Sequence, residues 1–304
     1  MRSGLPSRPN TPPPDVRPGV TVADVIGTGA TRLAAAGCDD PRHEAGLLWA
    51  GLHGQSVGEV WLEQDREVPH HQAMHYADAV ERRAAGEPLA YVVGAAGFRT
   101  LDVGVNSRVL IPRPETEGLV ELVLERMRAR WGGGSWGAAA DIGTGSGCIA
   151  LSLAVEGAFE RIVATDASAD ALTVARDNVR RIAPATPIDL RCGDLLVPLE
   201  GERFGTIVSN PPYVSEPEAM ALPASVREHE PMGALVSGDD GLAHTGRLLE
   251  AAGDYLIDGG LLAVEVDSRR ADRVRTLAER AGWTHSRIHR DLFGRSRYLL
   301  TTKE

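Results

Sequence analysis

The chain has 304 residues, room for two domains with cores of their own, since one domain usually takes about 100–200 residues. Hydrophobic residues make up 43% and charged residues 24%, an ordinary globular balance, and no apolar run approaches the ~18 residues of a membrane span. The 42 acidic side chains against 32 basic ones leave a formal net charge of −10, which argues against a protein that grips nucleic acid through a broad basic face.

Residues 1–18 carry six prolines and no apolar stretch, and are expected to form a disordered tail rather than a secretory signal. Thr21 with Asp24 three residues on makes a capping box, which predicts a helix ending near Gly37. Asp40 then caps a second helix with Pro41 at its first position, and Ala45, Leu48 and Leu52 fall on one face. A third helix is predicted from Pro69 to Ala85, stopping at Gly86. Residues 19–88 thus read as a small all-helical domain. From Tyr91 to Leu110 the residues turn β-branched and aromatic, with glycines between them, which predicts a hairpin linker over 89–112. An acidic helix follows Pro114, and Trp131-Gly-Gly-Gly-Ser-Trp136 reads as a flexible joint.

Beyond it strands alternate with helices. Strands are expected at Ala138–Ile142, Arg161–Thr165, Pro187–Leu190, Thr206–Ser209 and Leu261–Val266, with helices near 148–156, 168–181, 241–256 and 269–281. This alternation predicts an α/β fold with a mostly parallel sheet covered on both faces. His285–Arg290 and Tyr298–Thr302, with no helix between them, predict an antiparallel pair at one edge. Cys38, Cys148 and Cys192 are odd in number and form no Cys-x-x-Cys pair, so neither a disulfide framework nor a zinc site is expected, and a reducing, cytoplasmic compartment is. The nine histidines show no ligand spacing, so no metal is expected.

Three strand ends carry the pattern of a nucleoside site. The first is Asp141-Ile-Gly-Thr-Gly-Ser-Gly147, in which Gly143, Gly145 and Gly147 let the backbone turn sharply beside the positive end of a helix. A dinucleotide fingerprint would set its third small residue at 148; here Gly147 comes one residue early. That spacing, with Thr144 and Ser146 between the glycines, resembles motif I of the class I methyltransferases and implies S-adenosylmethionine. Asp166, 25 residues after Asp141, is placed to accept hydrogen bonds from both ribose hydroxyls, or to cap the next helix, or both. Gly193-Asp194-Leu195 after the third strand is placed for the adenine.

The fourth strand ends in Ser209-Asn210-Pro211-Pro212-Tyr213. A planar amide or exocyclic amine nitrogen has its lone pair delocalised, so it must be held in line with the donor methyl and its N–H groups need acceptors. The Asn210 side-chain oxygen and the Pro211 carbonyl can take one each, orienting the nitrogen and favouring the charge that builds on it. Pro211 and Pro212 stiffen the backbone, and Tyr213 offers a flat wall. The donor brings its own leaving group, so this chemistry calls for no covalent nucleophile. Asn-Pro-Pro-Tyr by itself fits methyltransferases of DNA, RNA and protein alike.

The surrounding residues narrow the choice. Arg82-Arg-Ala-Ala-Gly-Glu-Pro-Leu-Ala-Tyr-Val-Val-Gly94 and Leu110-Ile-Pro-Arg-Pro-Glu-Thr-Glu117 resemble the bacterial release factor glutamine methyltransferases. So do Glu230-Pro231, Asp240-Gly241-Leu242, Gly259-Gly260 and Asp291-Leu-Phe-Gly-Arg-Ser-Arg297. The likeness runs in order from about residue 20 to 302. It implies a helical substrate-recognition domain, a hairpin linker and a Rossmann-like, seven-stranded methyltransferase domain over 113–304. It also implies methylation of the glutamine amide in the Gly-Gly-Gln loop of peptide release factors. A monomer acting on a protein, with no membrane and no direct nucleic-acid partner, is expected. By motif position the likeness implies cofactor contacts at Gly143, Thr144, Gly145, Ser146, Gly147, Asp166 and Leu195, and a glutamine-binding loop at Asn210, Pro211, Pro212 and Tyr213; Asp141, Asp194 and Asn210 are expected at the cofactor as well. Pro112, Arg113 and Thr116 lie in the linker motif with no role attached. The chain departs from the family after the fifth strand, where a glycine and a glutamine usually follow the glutamate. Here Glu265 is followed by Val266-Asp267-Ser268-Arg269-Arg270, which leaves a different acceptor open.

Overall fold

The computed structural model describes residues 19–304; the tail expected over 1–18 lies outside them. The chain divides after Ala85 into two compact units.

The first unit is helical: α1 Val22–Ala35, α2 Pro41–His53, α3 Val57–Leu62 and α4 His70–Ala84. Thr21 and Asp24 form the expected capping box, and Asp40 accepts from the His43 N–H with Pro41 at the first position of α2. The short α3, which has too few turns to show a period, starts at a second capping box, Ser56 with Glu59. Leu33, Leu48, Trp49, Tyr76 and Val80 fill the core. Leu52, expected on the buried face of α2, is half-buried, and Trp49 takes that place. The Tyr76 hydroxyl donates to the Ala45 carbonyl at 2.9 Å, and a Cβ on Gly29 would stand 2.6 Å from it. A glycine inside α1, locally unfavourable, is therefore what lets α4 pack this closely.

The second unit opens with α5 Leu89–Val93, then the antiparallel hairpin β1 Ala95–Phe98 and β2 Leu101–Gly104. Tyr91-Val-Val, expected in the hairpin, is helical. Gly94 ends the turn in the left-handed region, Tyr91 and Val92 are buried, and the Tyr91 hydroxyl reaches the Val109 carbonyl. Burial outweighs β propensity here. The hairpin packs into this unit through Phe98 and Val103.

The remaining elements are α6 Pro114–Trp131, β3 Ala138–Ile142, α7 Cys148–Glu156, β4 Arg161–Asp166, α8 Ala169–Ile182, β5 Ile188–Cys192 and β6 Phe204–Ser209. They continue with α9 Glu216–Ala219, α10 Ala224–His229, α11 Ala243–Ala251, β7 Leu256–Glu265, α12 Ala271–Arg280, β8 Arg287–Arg290 and β9 Ser296–Thr302. The seven strands pair in the order β5-β4-β3-β6-β7-β9-β8, with β9 antiparallel to both neighbours. The glycine joint after α6 is not loose at its far end: Trp136 is buried, edge-on to Phe159, with its backbone N–H donating to the Ala158 carbonyl. The expected helix over 241–256 stops earlier, and β7 begins at Leu256.

Apolar residues alternate between the two faces of the sheet. Ala139, Leu261 and Ala263 join Leu119, Val123, Met127, Ile149 and Leu153 on one side; Ala140, Leu262 and Val264 join Leu248, Leu249, Val274 and Ala278 on the other. A parallel strand buried on both sides is apolar throughout, which is why these strands read as continuous hydrophobic runs. The chain leaves β3 towards β4 on one side and returns to β6 on the other. The carboxyl ends of β3 and β6 are therefore the switch point at which such sheets open a crevice for ligands.

Candidate active site

Ile142 lies opposite Ser209 in the β3–β6 register, so Gly143 and Asn210 leave the sheet side by side. The Ser209 hydroxyl donates to the Ile142 carbonyl at 2.8 Å and locks the two strand ends together. The glycine loop turns back on β4, where the Gly143 and Thr144 N–H groups share the Thr165 carbonyl. Gly143 and Gly145 have φ of +74° and +55°, and a Cβ on either would meet open space. Their substitution is thus opposed by backbone strain, while the space in front of them stays clear for a ligand.

Asp141 lies beneath this loop and is wholly buried. Its Oδ2 accepts from the Thr144 hydroxyl at 2.6 Å and the Ala150 N–H at 3.1 Å, bracing the loop against the first turn of α7. Among the described residues its Oδ1 has no partner, and burial pushes the carboxyl up to about 7. Thr144 and Ser146 are buried with it. Asp166, at the end of β4, accepts from the Gly145 N–H at 2.9 Å and the Ser168 N–H at 2.8 Å. It joins the glycine loop to the entry of α8, where Ser168 is the cap. Burial raises its pKa, against the pull of those two N–H groups. Its backbone carbonyl takes the Gly193 N–H, bringing the third loop alongside, and the Leu195 carbonyl takes the Thr165 hydroxyl. Asp194 points elsewhere: it is half-exposed and ion-paired with Arg247, which lowers its pKa.

Asn210 follows β6 with its Nδ2 donating to Thr116 Oγ1 at 3.0 Å. Thr116, in the first turn of α6, donates in turn to Glu265 Oε2 at 2.8 Å. Among the described residues the Asn210 Oδ1 accepts no hydrogen bond. Pro211 is buried, Pro212 and Tyr213 are half-buried, and burial, with Glu265 nearby, pushes the Tyr213 hydroxyl up to about 12. The loop is held from behind by Gly241, whose Cβ would fall 2.4 Å from the Tyr213 carbonyl. Beyond Tyr213 the chain is pinned by charge. Glu218 accepts from the Ser215 N–H and hydroxyl and pairs with Arg269 and Arg270, and Arg270 also pairs with Asp267 and donates to the Asp240 carbonyl. Burial pushes Glu218 up, but these bonds outweigh it and hold it at about 2. Asp267 and Arg270 lie in the stretch where the sequence departs from the family pattern, and they serve as struts of the loop that follows β6.

Arg113, the cap residue of α6, pairs with the buried Glu230 at 2.5 Å, and Arg295 joins Asp291 to Glu115. Arg113 thus joins its own motif to that of Glu230, and Arg295 joins the 291–297 motif to the first turn of α6, which carries Thr116 and through it Asn210. Thr116 and the Glu218–Arg270 pair carried no assigned role in the sequence. Thr116 lay in a motif without a role and Arg270 in the stretch that follows Glu265, but Glu218 lay in neither, and nothing local said that these residues touch.

Two family models match, the PrmC N-terminal domain over residues 24–94 and the methyltransferase small domain over 119–226. The release factor glutamine methyltransferase of Moorella thermoacetica is 40% identical over 92% of this chain and 98% of its own length. That of Rhodopirellula baltica is 36% identical over 88% and 91%. The chain belongs to the release factor glutamine methyltransferase family. It is a methyltransferase, and its sheet matches those of solved methyltransferases. The 16S rRNA N2 G1207 methyltransferase of T. thermophilus, solved with AdoMet and guanosine, superposes with a TM-score of 0.50 over 69% of this chain and 50% of its own, at 17% identity, a likeness of fold. Within the family fold, the glycine loop and the Asn210 loop stand at the carboxyl edge of the sheet, where the β3–β6 register sets them together. Among the described residues no helix is long and apolar enough to cross a membrane, and no cluster of residues could hold a metal ion.

Proposed function

We propose that this chain transfers a methyl group from S-adenosylmethionine to the side-chain amide nitrogen of the glutamine in the Gly-Gly-Gln loop of a peptide release factor. The observation that carries the reading is the Asn210 side chain, tethered through its nitrogen to Thr116 with its oxygen uncommitted, beside the glycine loop. The residues present fit the cofactor: an open cradle over Gly143 and Gly145, and Asp166 at its edge with lone pairs left on both oxygens for ribose hydroxyls. When bound, the cofactor supplies an electrophilic methyl on a positively charged sulfur. The chain's own part is to hold the acceptor. Asn210 Oδ1 and the Pro211 carbonyl take one amide N–H each, presenting the nitrogen lone pair along the line of transfer. These acceptors are preorganised, so they stabilise positive charge as it builds on nitrogen without having to turn towards it. Tyr213 covers the flat face of the amide and keeps its hydroxyl protonated at any neutral pH.

Incubating a bacterial release factor with the enzyme and S-adenosylmethionine, followed by peptide mass spectrometry, tests this. A single added methyl on the glutamine of the Gly-Gly-Gln peptide is expected. An unmodified factor alongside a methylated nucleic acid or another protein would overturn the acceptor assignment.

A further inference from the structure

We infer that Thr116 and Glu265 are positioning residues, a directional hydrogen-bond relay that decides which end of the Asn210 amide faces the acceptor nitrogen; this rests on the role proposed for Asn210. A carboxamide has one end that accepts and one that donates, nearly alike in shape. Only the oxygen end can take an N–H from a substrate amide. With the amide turned over, Nδ2 would confront the substrate's N–H groups, donor against donor. Something must fix the orientation, and the hydrogen bonds through Thr116 do so. Ionised Glu265 can only accept, so the single hydroxyl hydrogen of Thr116 goes to it, at 2.8 Å. The hydroxyl then has only lone pairs left for Asn210, which must answer with Nδ2, at 3.0 Å. The oxygen is thereby turned outward.

The burial argues that this is more than packing. Glu265 is 0% exposed and Thr116 2%, and among the described residues the second carboxylate oxygen, Oε1, has no partner. A buried carboxylate with one free oxygen is expensive, and an apolar residue of like size at the end of β7 would avoid the cost. The groups that face Glu265 are Arg113 and Glu115 from the turn that carries Thr116, Arg297 and Tyr298 from β9, Tyr213 from the acceptor loop and Cys148 at the start of α7. The two arginines favour its charge, Glu115 opposes it, and burial dominates, pushing the carboxyl up to about 7. Protonation reverses the relay. A neutral Glu265 can donate to Thr116, whose hydroxyl then donates to Asn210 Oδ1 and turns Nδ2 towards the acceptor.

The test is single-turnover methylation of a bacterial release factor at saturating cofactor and acceptor, with cofactor affinity measured by calorimetry on each variant. Thr116→Val removes the hydroxyl at nearly constant volume and is expected to slow transfer about tenfold or more, a share of what a direct preorganised group carries. Thr116→Ser restores the hydroxyl and should turn over within about threefold of wild type, a spread small against that loss. Both should bind cofactor as wild type does, which also shows that they are folded. Below pH ~7 the wild-type rate should fall as the Glu265 carboxyl takes up a proton and the direction of the relay is lost, and Glu265→Gln, which does not titrate and whose amide oxygen can still accept from Thr116, should be flat across the same range. Saturating cofactor keeps any titration of Asp141 out of this comparison. A wild-type rate in Thr116→Val, a Ser variant as slow as Val, or an acid limb that survives in Glu265→Gln overturns the relay. If Asn210→Ala is slow while Thr116→Val is normal, the relay alone fails. If Asn210→Ala is itself normal, the proposed role of Asn210 fails and the relay with it.

Discussion

In the proposed reaction, Asn210 and Asp166 separate the two halves at the level of single side chains. Asn210→Ala removes an acceptor from the target nitrogen but leaves the glycine loop and Asp166 intact, so its cost belongs in the transfer step. A loss of about 10²–10³ in rate is expected, the amount one preorganised polar group carries. Single-turnover kinetics beside a melting curve would check it: turnover within about fivefold of wild type, with a lowered melting temperature, would reduce Asn210 to a turn residue. Asp166→Ala belongs to binding. Its carboxylate organises the Gly145 and Ser168 N–H groups, and the proposed ribose contacts would be lost with it. Cofactor affinity should weaken by about 1.5–3 kcal/mol, the range for hydrogen bonds to a charged group. Unchanged affinity by calorimetry would remove it from the site.

At the scale of elements, the site depends on contacts that bind one segment's backbone to another's side chain. Asn178, buried on α8, accepts from the Gly104 N–H and donates to the Gly104 and Ser146 carbonyls, so one amide fastens the hairpin to the glycine loop. Asn178→Ala leaves those groups without partners, at about 1–3 kcal/mol for each that water cannot reach. A lower melting temperature together with weaker cofactor binding is expected, and a melting curve that overlays wild type would refute the coupling. Gly241 acts on the other loop. At φ +75°, with its Cβ position 2.4 Å from the Tyr213 carbonyl, Gly241→Ala must displace the acceptor loop. Methyl transfer should fall more than cofactor affinity does; equal loss of both would place Gly241 in general stability instead.

For the whole molecule, the carboxylates make opposed contributions to stability as pH changes. Glu265 and Asp141 have folded-state pKa values raised to about 7 by burial, above their unfolded values. The folded protein therefore holds protons that the unfolded chain has released, and stability from these two groups is lost as pH rises from about 4 to 7. Glu218, held at about 2, works in the other sense: its contribution is present above the ordinary glutamate range and lost as pH falls below it. Glu265→Gln should accordingly raise the melting temperature, relative to wild type, more at pH 8 than at pH 5.5. An equal shift at both values would mean that Glu265 is charged throughout.

Much of this design was written along the chain. Gly143 to Gly147, Asp166 and Asn210 to Tyr213 follow strands whose unbroken apolar runs mark a buried parallel sheet, and strand-end loops in such a sheet come together whatever the remaining details. The capping boxes at Thr21 and Ser56 are equally local, since each bond spans three residues. What the chain did not declare lies in pairings between distant segments. Tyr91-Val-Val has strand-forming residues but is helical, because burying Tyr91 against Val105 and Val109 outweighs a propensity worth less than about 1 kcal/mol. The helices over 216–229 are too short to show a period. Thr116 and Glu265 are 149 residues apart, and Glu218 and Arg270 are 52. No local pattern can announce such contacts, because hydrogen bonds and ion pairs act over a few ångströms and only the folded sheet brings those atoms within reach.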